Sequence, residues 1–144
     1  MRIRAAQSND FVVIKDLLVA NGLPSTDVSA ALLNDFWVIE NTAGILVGSI
    51  GLERYGQNSL LRSLAVAQPA RNAGIGAMLV AHVERMAFAN GITQLWLLTT
   101  TAAEFFQRKG YEIVDRSLAP LELQTSSQFA NLCPATAVCM VKSL

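Results

Sequence analysis

A stretch with two glycines and one arginine, RNAGIG at residues 71–76, is the part of this sequence best suited to chemistry. It lies between a β-rich run and an apolar segment with helical periodicity, so a helix is predicted to begin within it. The first amides of a helix have no backbone partner and carry partial positive charge, which favours an anion, usually a phosphate. Gly74 and Gly76 would let the backbone approach a phosphate closely, and Arg71 would add a charged contact. The alternatives are glycines needed for packing alone and an arginine that is simply solvated.

Two common phosphate-binding motifs do not fit these residues. A dinucleotide-binding fingerprint needs a third glycine where Leu79 stands and an acid at the end of the next strand, where the chain has Thr99. The phosphate loop of nucleotide hydrolases ends in Gly-Lys-Ser/Thr, which is absent. The stretch therefore predicts a phosphate site of another kind.

The elements that must position this stretch follow from periodicity and turn residues. The pattern predicts a first strand (RIRAA), a helix capped by Ser8 and stopped by Gly22 and Pro24, and a short second helix over residues 27–35. An antiparallel meander of three strands follows, at residues 36–40, 45–55 and 59–67. The remaining elements are a helix over 75–90, a strand over 93–99, a helix over about 102–109 with a capping box of Thr101 and Glu104, and strands in YEIVD and AVCMVKS. The segment at residues 118–135 is predicted to be irregular or briefly helical.

The strand at 59–67, the helix at 75–90 and the strand at 93–99 form a crossover unit. Such a unit implies two parallel strands, almost always with a right-handed connection. The glycine stretch therefore lies at the carboxyl end of a strand.

Composition excludes several functional classes. A chain of 144 residues with 11 acidic and 11 basic side chains is expected to form one domain with no footprint for nucleic acid or an anionic membrane, so its ligand is expected to be small. No apolar run is long enough for a membrane span, and no secretory signal opens the chain, which favours the cytoplasm. Two cysteines and one histidine give neither a disulfide framework nor a zinc site, so no metal is expected. Cys133 and Cys139 are expected to be buried thiols, with Cys133 as a candidate for the wall of a pocket.

The loop and the order of elements resemble the GNAT superfamily of N-acetyltransferases, whose acyl-CoA pyrophosphate loop reads Arg/Gln-x-x-Gly-x-Gly/Ala. The resemblance covers nearly the whole chain and includes SLAV before the loop and FFQRKGY near its end. Within the superfamily, LLRSLAV, LLTTTAAEFF and FANLCPATAVCM look most like small N-acetyltransferases associated with arsenic-resistance gene clusters, and less closely like N-acetylglutamate synthase domains. The implied fold is α/β (α+β): a mixed, mostly antiparallel sheet with a splayed parallel strand pair, flanked by helices.

The resemblance implies acetyl-CoA as co-substrate, with its pantetheine arm in the cleft between the parallel strands. The residues expected to contact it are Leu64, Ala65, Val66, Arg71, Asn72, Ala73, Gly74, Ile75, Gly76, Ala77, Thr99, Phe105 and Arg108.

In such enzymes the amine attacks the thioester directly, so neither cysteine has to be reactive. The amide of Leu64 is the expected donor to the developing oxyanion. A base must take the proton of the substrate ammonium; Glu53 is the first candidate and Glu40 the second, the alternative for Glu53 being an exposed strand-end glutamate. Many superfamily members carry a tyrosine that protonates the thiolate where this chain has Phe106, which leaves solvent or Tyr55 as the acid.

Arg62 lies in an otherwise apolar strand that leads to the expected acetyl site. A buried arginine needs a partner, and beside a cleft its guanidinium can fork onto a carboxylate, phosphonate or arsonate. Arg62, Ser63 and Glu40 are therefore the expected substrate-binding residues. An ion pair between Arg62 and an internal acid is the alternative.

The sequence thus predicts acetyl transfer to the amino group of a small, anionic, amino-acid-like molecule, with arsenic- or phosphorus-containing glutamate analogues among the candidates. The alternatives are an N-acetylglutamate synthase-like enzyme, a catalytically silent acyl-CoA sensor, and a protein acetylase. A homodimer is left open.

Overall fold

Seven strands in one mixed sheet form the centre of the computed structural model, which describes residues 1–144. In chain order the strands are β1 (Arg2–Ala5), β2 (Phe36–Glu40), β3 (Leu46–Tyr55), β4 (Asn58–Val66), β5 (Gln94–Thr99), β6 (Glu112–Val114) and β7 (Val138–Ser143). Their order across the sheet is β1-β2-β3-β4-β5-β7-β6. Only β4 and β5 pair in parallel; all other neighbours are antiparallel. The predicted meander and the predicted crossover unit are therefore confirmed.

Four α-helices accompany the sheet: α1 (Phe11–Ala20), α2 (Ile75–Ala89), α3 (Ala103–Arg108) and α4 (Leu121–Gln124). Single helical turns cover Ser8–Asp10, Leu32–Asp35, Gln68–Ala70, Arg116–Leu118 and Gln128–Leu132. None of these helices combines the length and the apolar character that crossing a membrane requires.

The two long helices pack on opposite faces of the sheet. Trp37 and Ile39 of β2 belong to the apolar cluster that contains Leu79 of α2. The alternate residues of the same strand, Phe36 and Val38, lie in a second cluster with α1. Because side chains alternate between the faces of a strand, these clusters lie on opposite sides. The sheet is thus held between the two helices.

Three local predictions are wrong for identifiable reasons. In place of a helix over 27–35, turns and irregular backbone precede the single turn Leu32–Asp35, since the side chain of Asp27 pairs with Arg62 in the sheet. Ser8 does not cap the first helix; the carboxylate of Asp10 accepts the Gln7 amide at 2.7 Å instead.

The predicted capping box before α3 is also wrong. The residue before α3 is Ala102, which has no side chain able to cap, and the hydroxyl of Thr99 accepts the Ala102 amide at 3.0 Å. Glu104 is therefore an exposed residue of the first helical turn, where a carboxylate suits the helix dipole.

The β4–β5 pair separates after three residue pairs, which end at Leu60 and Trp96. Beyond this point β5 remains paired with β7 on its other side. On the β3 side, Ser49 pairs with Ala65 but Gly51 pairs with Arg62, so β4 carries one extra residue there. This β-bulge and the separation of the strands leave an opening in the middle of the sheet.

Candidate active site

The gap between β4 and β5 opens into a cavity of about 470 Å³. Its walls come from residues 61–64 of β4, residues 97–102 at the end of β5, the loop at 21–26 after α1, and the segment 132–134. Arg62 is the one charged residue in this lining. A cavity of this size is typical of a site for a small molecule.

The N-terminus of α2 presents unpaired donors next to β4. None of the backbone amides of residues 72–77 donates a hydrogen bond to another group of the protein. Asn72 and Gly74 have φ angles of +68° and +75°, a left-handed backbone that turns successive amides toward one side of the loop. Alternating conformations of this kind, followed by a 15-residue helix, form an anion-binding nest.

Arg71 folds back from this loop onto the end of α1. Its Nη2 donates to Asn21 Oδ1 at 2.8 Å, and its Nε donates to the Val66 carbonyl at 3.3 Å. The side chain is exposed and tethered rather than free in solvent.

The bulge in β4 surrounds Ser63 and Leu64. Ser63 has a φ of +60°, and the Ser49 hydroxyl donates to its carbonyl oxygen at 2.9 Å. Neither Ser63 nor Leu64 has a partner in the register with β3, whereas Ala65 and Val66 pair with Ser49 and Gly48. The edge from Leu64 to Val66 faces the gap, so it is able to pair with an extended ligand as a strand would.

The other residues expected at the co-substrate site are distributed around the loop. Phe105 of α3 is half-buried, and its ring lies 3.5 Å from the point where a Cβ at Gly76 would stand. Thr99 lines the cavity, and its hydroxyl accepts the amide of Ala102 just before α3. Arg108 is exposed in the last turn of α3 and forms no ion pair.

Arg62 is held by two carboxylates. Its Nη2 donates to Asp27 Oδ1 at 2.8 Å, and its Nη1 donates to Asp27 Oδ2 and to Glu53 Oε1, each at 2.5 Å. Its side chain has no exposed surface, and its Nε donates to the Ser63 hydroxyl at 3.0 Å. Burial alone would lower the pKa of Arg62, but the two carboxylates raise it. The structure therefore pairs Arg62 with internal acids, the alternative that the sequence left open.

Glu53 is engaged on both oxygens. Besides Arg62, it accepts a hydrogen bond of 2.7 Å from the hydroxyl of Tyr55. Burial and this carboxylate raise the pKa of Tyr55 above its ordinary value, so the phenol keeps its proton. Asp27 behaves in the opposite way: burial would raise its pKa, but the hydrogen bonds and charge of Arg62 lower it overall.

Glu40 is not brought to the cavity. It lies at the end of β2, where it accepts a hydrogen bond of 3.0 Å from Arg4 Nε and pairs with Arg2 at 3.6 Å. These contacts stabilise the β1 edge of the sheet.

Aromatic and thiol groups complete the cavity wall. Phe106 is buried, lines the cavity, and packs edge-on against Tyr111 with ring centroids 5.4 Å apart. The Tyr111 hydroxyl donates to Glu84 at 2.9 Å, and its ring belongs to the apolar core. Burial raises the pKa of the Cys133 thiol in the cavity wall and that of Cys139 to about 11, so both thiols are protonated near neutral pH.

Asp27 is the residue of this site that sequence reasoning missed. Its position in a predicted helix gave no reason to place it beside β4. The only available indication was that a buried Arg62 requires an acid, and an acid 35 residues away along the chain cannot be selected by spacing.

Comparison with known proteins adds family and fold. A family model described as an acetyltransferase (GNAT) domain matches residues 33–113. An uncharacterized N-acetyltransferase of Chlorobaculum tepidum is 30% identical over 117 residues, which cover 78% of this chain and 72% of that protein.

Solved structures agree with these sequence matches. Rv2747 of Mycobacterium tuberculosis, solved with CoA, has a TM-score of 0.85 and 21% identity over 100% of this chain and 99% of its own. The N-acetylglutamate synthase of Neisseria gonorrhoeae, complexed with coenzyme A and N-acetyl-glutamate, has a TM-score of 0.85 and 24% identity over 99% of this chain and 35% of its own. At such identities these two likenesses show the fold.

Proposed function

Because this chain belongs to the GNAT acetyltransferase family, we propose that it transfers the acetyl group of acetyl-CoA to the amino group of a small, anionic, amino-acid-like substrate. The general activity, N-acetylation with acetyl-CoA as the donor, follows from family membership. The substrate class is our inference from the cavity.

The observation that carries the proposal is the row of six unpaired amides at residues 72–77. They fit a diphosphate because they lie at a helix start and have no internal acceptor, and all of them except the amide of the buried Ile75 belong to exposed or half-buried residues. The open edge of β4 begins a few residues earlier and fits the amide groups of a pantetheine arm. Bound acetyl-CoA supplies an activated acyl group at the end of that arm.

The amide of Leu64 is our candidate for stabilising charge on the acetyl oxygen. The bulge leaves Leu64 without a partner on β3, and the gap leaves β4 without a partner on the other side. A fixed donor aimed at developing negative charge lowers the barrier of acyl transfer. In the transfer itself a C–N bond forms and the C–S bond breaks, so the amine loses a proton and the thiolate gains one.

We assign the proton from the amine to Glu53, reached through water. An ionised carboxylate has about four lone-pair positions, of which Arg62 and Tyr55 occupy two. The side chain of Glu53 retains 13% of its exposure, which leaves room for a water contact. Because its pKa is raised, the phenol of Tyr55 is a poor proton donor, so solvent is the better candidate to protonate the thiolate.

Arg62 is our candidate for selecting the anionic group of the substrate. It is the one charged residue in the cavity lining, and its guanidinium offers a planar fork. A fork of this kind accepts carboxylate, phosphonate and arsonate groups alike, which supports the arsenic- or phosphorus-containing glutamate analogues as candidates. The glutamate-type ligand in the N. gonorrhoeae structure also supports an amino-acid-like substrate.

A second candidate function is acyl-CoA binding without turnover. The specific observation in its favour is Phe106. Its buried ring lies in the cavity wall and has no proton to donate to the thiolate of coenzyme A.

The experiment measures thiol release from acetyl-CoA against a panel of amines in the purified protein. The panel contains amino acids, glutamate analogues with arsenic or phosphorus, and matched amines that lack an anionic group. We expect release with anionic amino acids and thermal stabilisation by acetyl-CoA, since a ligand of the folded state raises the melting temperature. Stabilisation without release from any amine would favour the silent binder, and release with neutral amines alone would overturn the substrate class.

A further inference from the structure

Arg62 has one carboxylate partner more than its charge requires. Two ionised carboxylates and one guanidinium leave the group Asp27, Arg62 and Glu53 with one excess negative charge. The group is nearly dry: the side chains of Arg62, Asp27 and Glu53 are 0%, 17% and 13% exposed. Burying a second carboxylate beside a single guanidinium costs desolvation free energy that their attraction only partly offsets.

The two acids are held very differently. Glu53 lies on β3 in the sheet, and its second oxygen is fixed by Tyr55. Asp27 lies in irregular backbone, and Arg62 is the only side chain that donates a hydrogen bond to its carboxylate. Rotation of the Asp27 side chain therefore breaks its pair with Arg62 and a bond to its own backbone amide, but no bond to another residue, while Val28 next to it stays buried.

Asp27 also presents the geometry of a substrate anion. Both of its oxygens accept from the two terminal nitrogens of Arg62, which is the bidentate arrangement that a free carboxylate forms. The preceding residues Ser25 and Thr26 line the cavity together with Arg62, so the pair of Asp27 and Arg62 lies next to the space that a ligand would fill.

We propose that Asp27 occupies, in the free protein, the place on Arg62 that the anionic group of the substrate takes on binding. This inference rests on the proposed function and adds a specificity-determining residue to it. When an anionic substrate binds, its anionic group replaces the carboxylate of Asp27 on Arg62, so the guanidinium keeps the same number of anionic partners. A neutral amine cannot displace Asp27 and finds Arg62 covered.

The exchange has a measurable consequence for affinity. When a site is free for only part of the time, the apparent dissociation constant rises by the inverse of that fraction. Removing the Asp27 carboxylate frees Arg62 permanently while Glu53 still neutralises it. The apparent affinity for anions therefore increases.

The direct test is calorimetric titration of glutarate, a dicarboxylate without an amine, in the absence of acetyl-CoA. We expect Asp27→Ala to bind glutarate about fivefold or more tightly than the native protein, on the reasoning that Asp27 covers Arg62 for most of the time. Asp35→Ala is the matched control, because Asp35 pairs with Arg54 outside the cavity at 2.9 Å. It should leave glutarate binding unchanged.

A second variant shows whether the tighter binding of glutarate depends on Arg62. Adding Arg62→Lys to Asp27→Ala keeps a positive charge but removes the planar fork, and it should abolish the gain. Glutarate binding to Asp27→Ala that is weaker than, or equal to, that of the native protein would overturn the proposal, provided that near-ultraviolet circular dichroism shows a native fold.

Kinetics separate this inference from the proposed function. With an active anionic amine, Asp27→Ala should lower KM and leave kcat unchanged, whereas a rise in KM or a fall in kcat would assign Asp27 to the ammonium or to proton transfer and overturn the proposal. If no amine releases thiol, the proposed function fails, and tighter glutarate binding by Asp27→Ala still supports the exchange on Arg62.

Discussion

The Ser49 hydroxyl of β3 donates a 2.9 Å hydrogen bond to the carbonyl oxygen of Ser63, across the bulge of β4. Ser49 has no exposed surface, and Ser63 has a left-handed φ of +60°. A non-glycine residue persists in this conformation only where its surroundings hold it. The bond therefore helps to fix the bulge, and with it the position of the Leu64 amide.

Replacing Ser49 by Ala should lower kcat even under conditions in which the variant remains fully folded. The change leaves the buried Ser63 carbonyl without this donor, which costs about 1–3 kcal/mol of unfolding free energy. Complete loss of a well-placed donor in an oxyanion site lowers kcat by about 10²–10³-fold. Displacement of the Leu64 amide should therefore lower kcat by about tenfold or more. Chemical denaturation and initial rates measure the two quantities.

The matched control for Ser49 is Ser59→Ala. Ser59 is equally buried and donates from its hydroxyl to the Glu53 carbonyl at 2.8 Å, in the paired part of β4. It should show a similar loss of stability with a smaller loss of kcat, since Arg62 and Tyr55 still hold the side chain of Glu53. Equal losses of kcat in the two variants would count against a role for the bulge.

Gly74→Ala should weaken acetyl-CoA binding. Gly74 has a φ of +75° with open space around it, so a methyl group meets no neighbour but strains the backbone by about 1–2 kcal/mol. Relief of that strain would turn the amides that follow, and we expect about a tenfold loss of affinity for acetyl-CoA in a thermal-shift titration.

Gly56→Ala provides the comparison. Gly56 has a φ of +65°, also with open space, in the turn between β3 and β4. Both variants should lose similar stability, but only Gly74→Ala should lose affinity for acetyl-CoA. A parallel loss of affinity in Gly56→Ala would mean that global destabilisation, and not the loop, explains the effect.

Arg62→Lys should raise KM for an anionic amine by about tenfold or more, because a single ammonium replaces a two-pronged donor. Stability should also fall, since Asp27 and Glu53 lose part of their pairing in a nearly dry site. Arg54→Lys, in the partly exposed pair with Asp35, is the control and should change neither quantity appreciably. An unchanged KM in a folded Arg62→Lys protein would remove Arg62 from substrate binding.

Local signals in the sequence were sufficient for most of the fold. The strands at 36–40 and 93–99 agree with β2 and β5 to within one residue, because apolar runs bounded by turn residues have few other conformations. The crossover rule then predicted the parallel pair of β4 and β5. The helix over 27–35 failed because an ion pair to a distant strand outweighed local propensity.

The candidate site divides in the same way. The glycine loop is a local feature, so the helix start within it could be predicted from RNAGIG. The partners of Arg62 come from β3 and from the loop after α1, which meet β4 only in the folded protein. The spacing of these residues along the sequence therefore does not predict the contacts. The bulge at Ser63 likewise depends on a cross-strand bond from Ser49.

The pH dependence of stability should reveal His82, the one histidine in the chain. Its Nε2 is buried without a hydrogen-bond partner, and its ring packs edge-on against Trp37 with centroids 5.8 Å apart. Burial, followed by the charge of Arg85, lowers the pKa of His82 in the folded state. The unfolded chain therefore takes up a proton first as the pH falls.

It follows that the free energy of unfolding is unaffected by His82 above its unfolded pKa of about 6.5, and falls as the pH drops from there toward the lower folded pKa. His82→Phe keeps an aromatic ring against Trp37 and carries no charge, so it should flatten the stability profile just below about pH 6.5. Denaturation at a series of pH values measures this slope. If native and variant proteins lose stability equally over that range, the buried nitrogen of His82 is not the group that titrates.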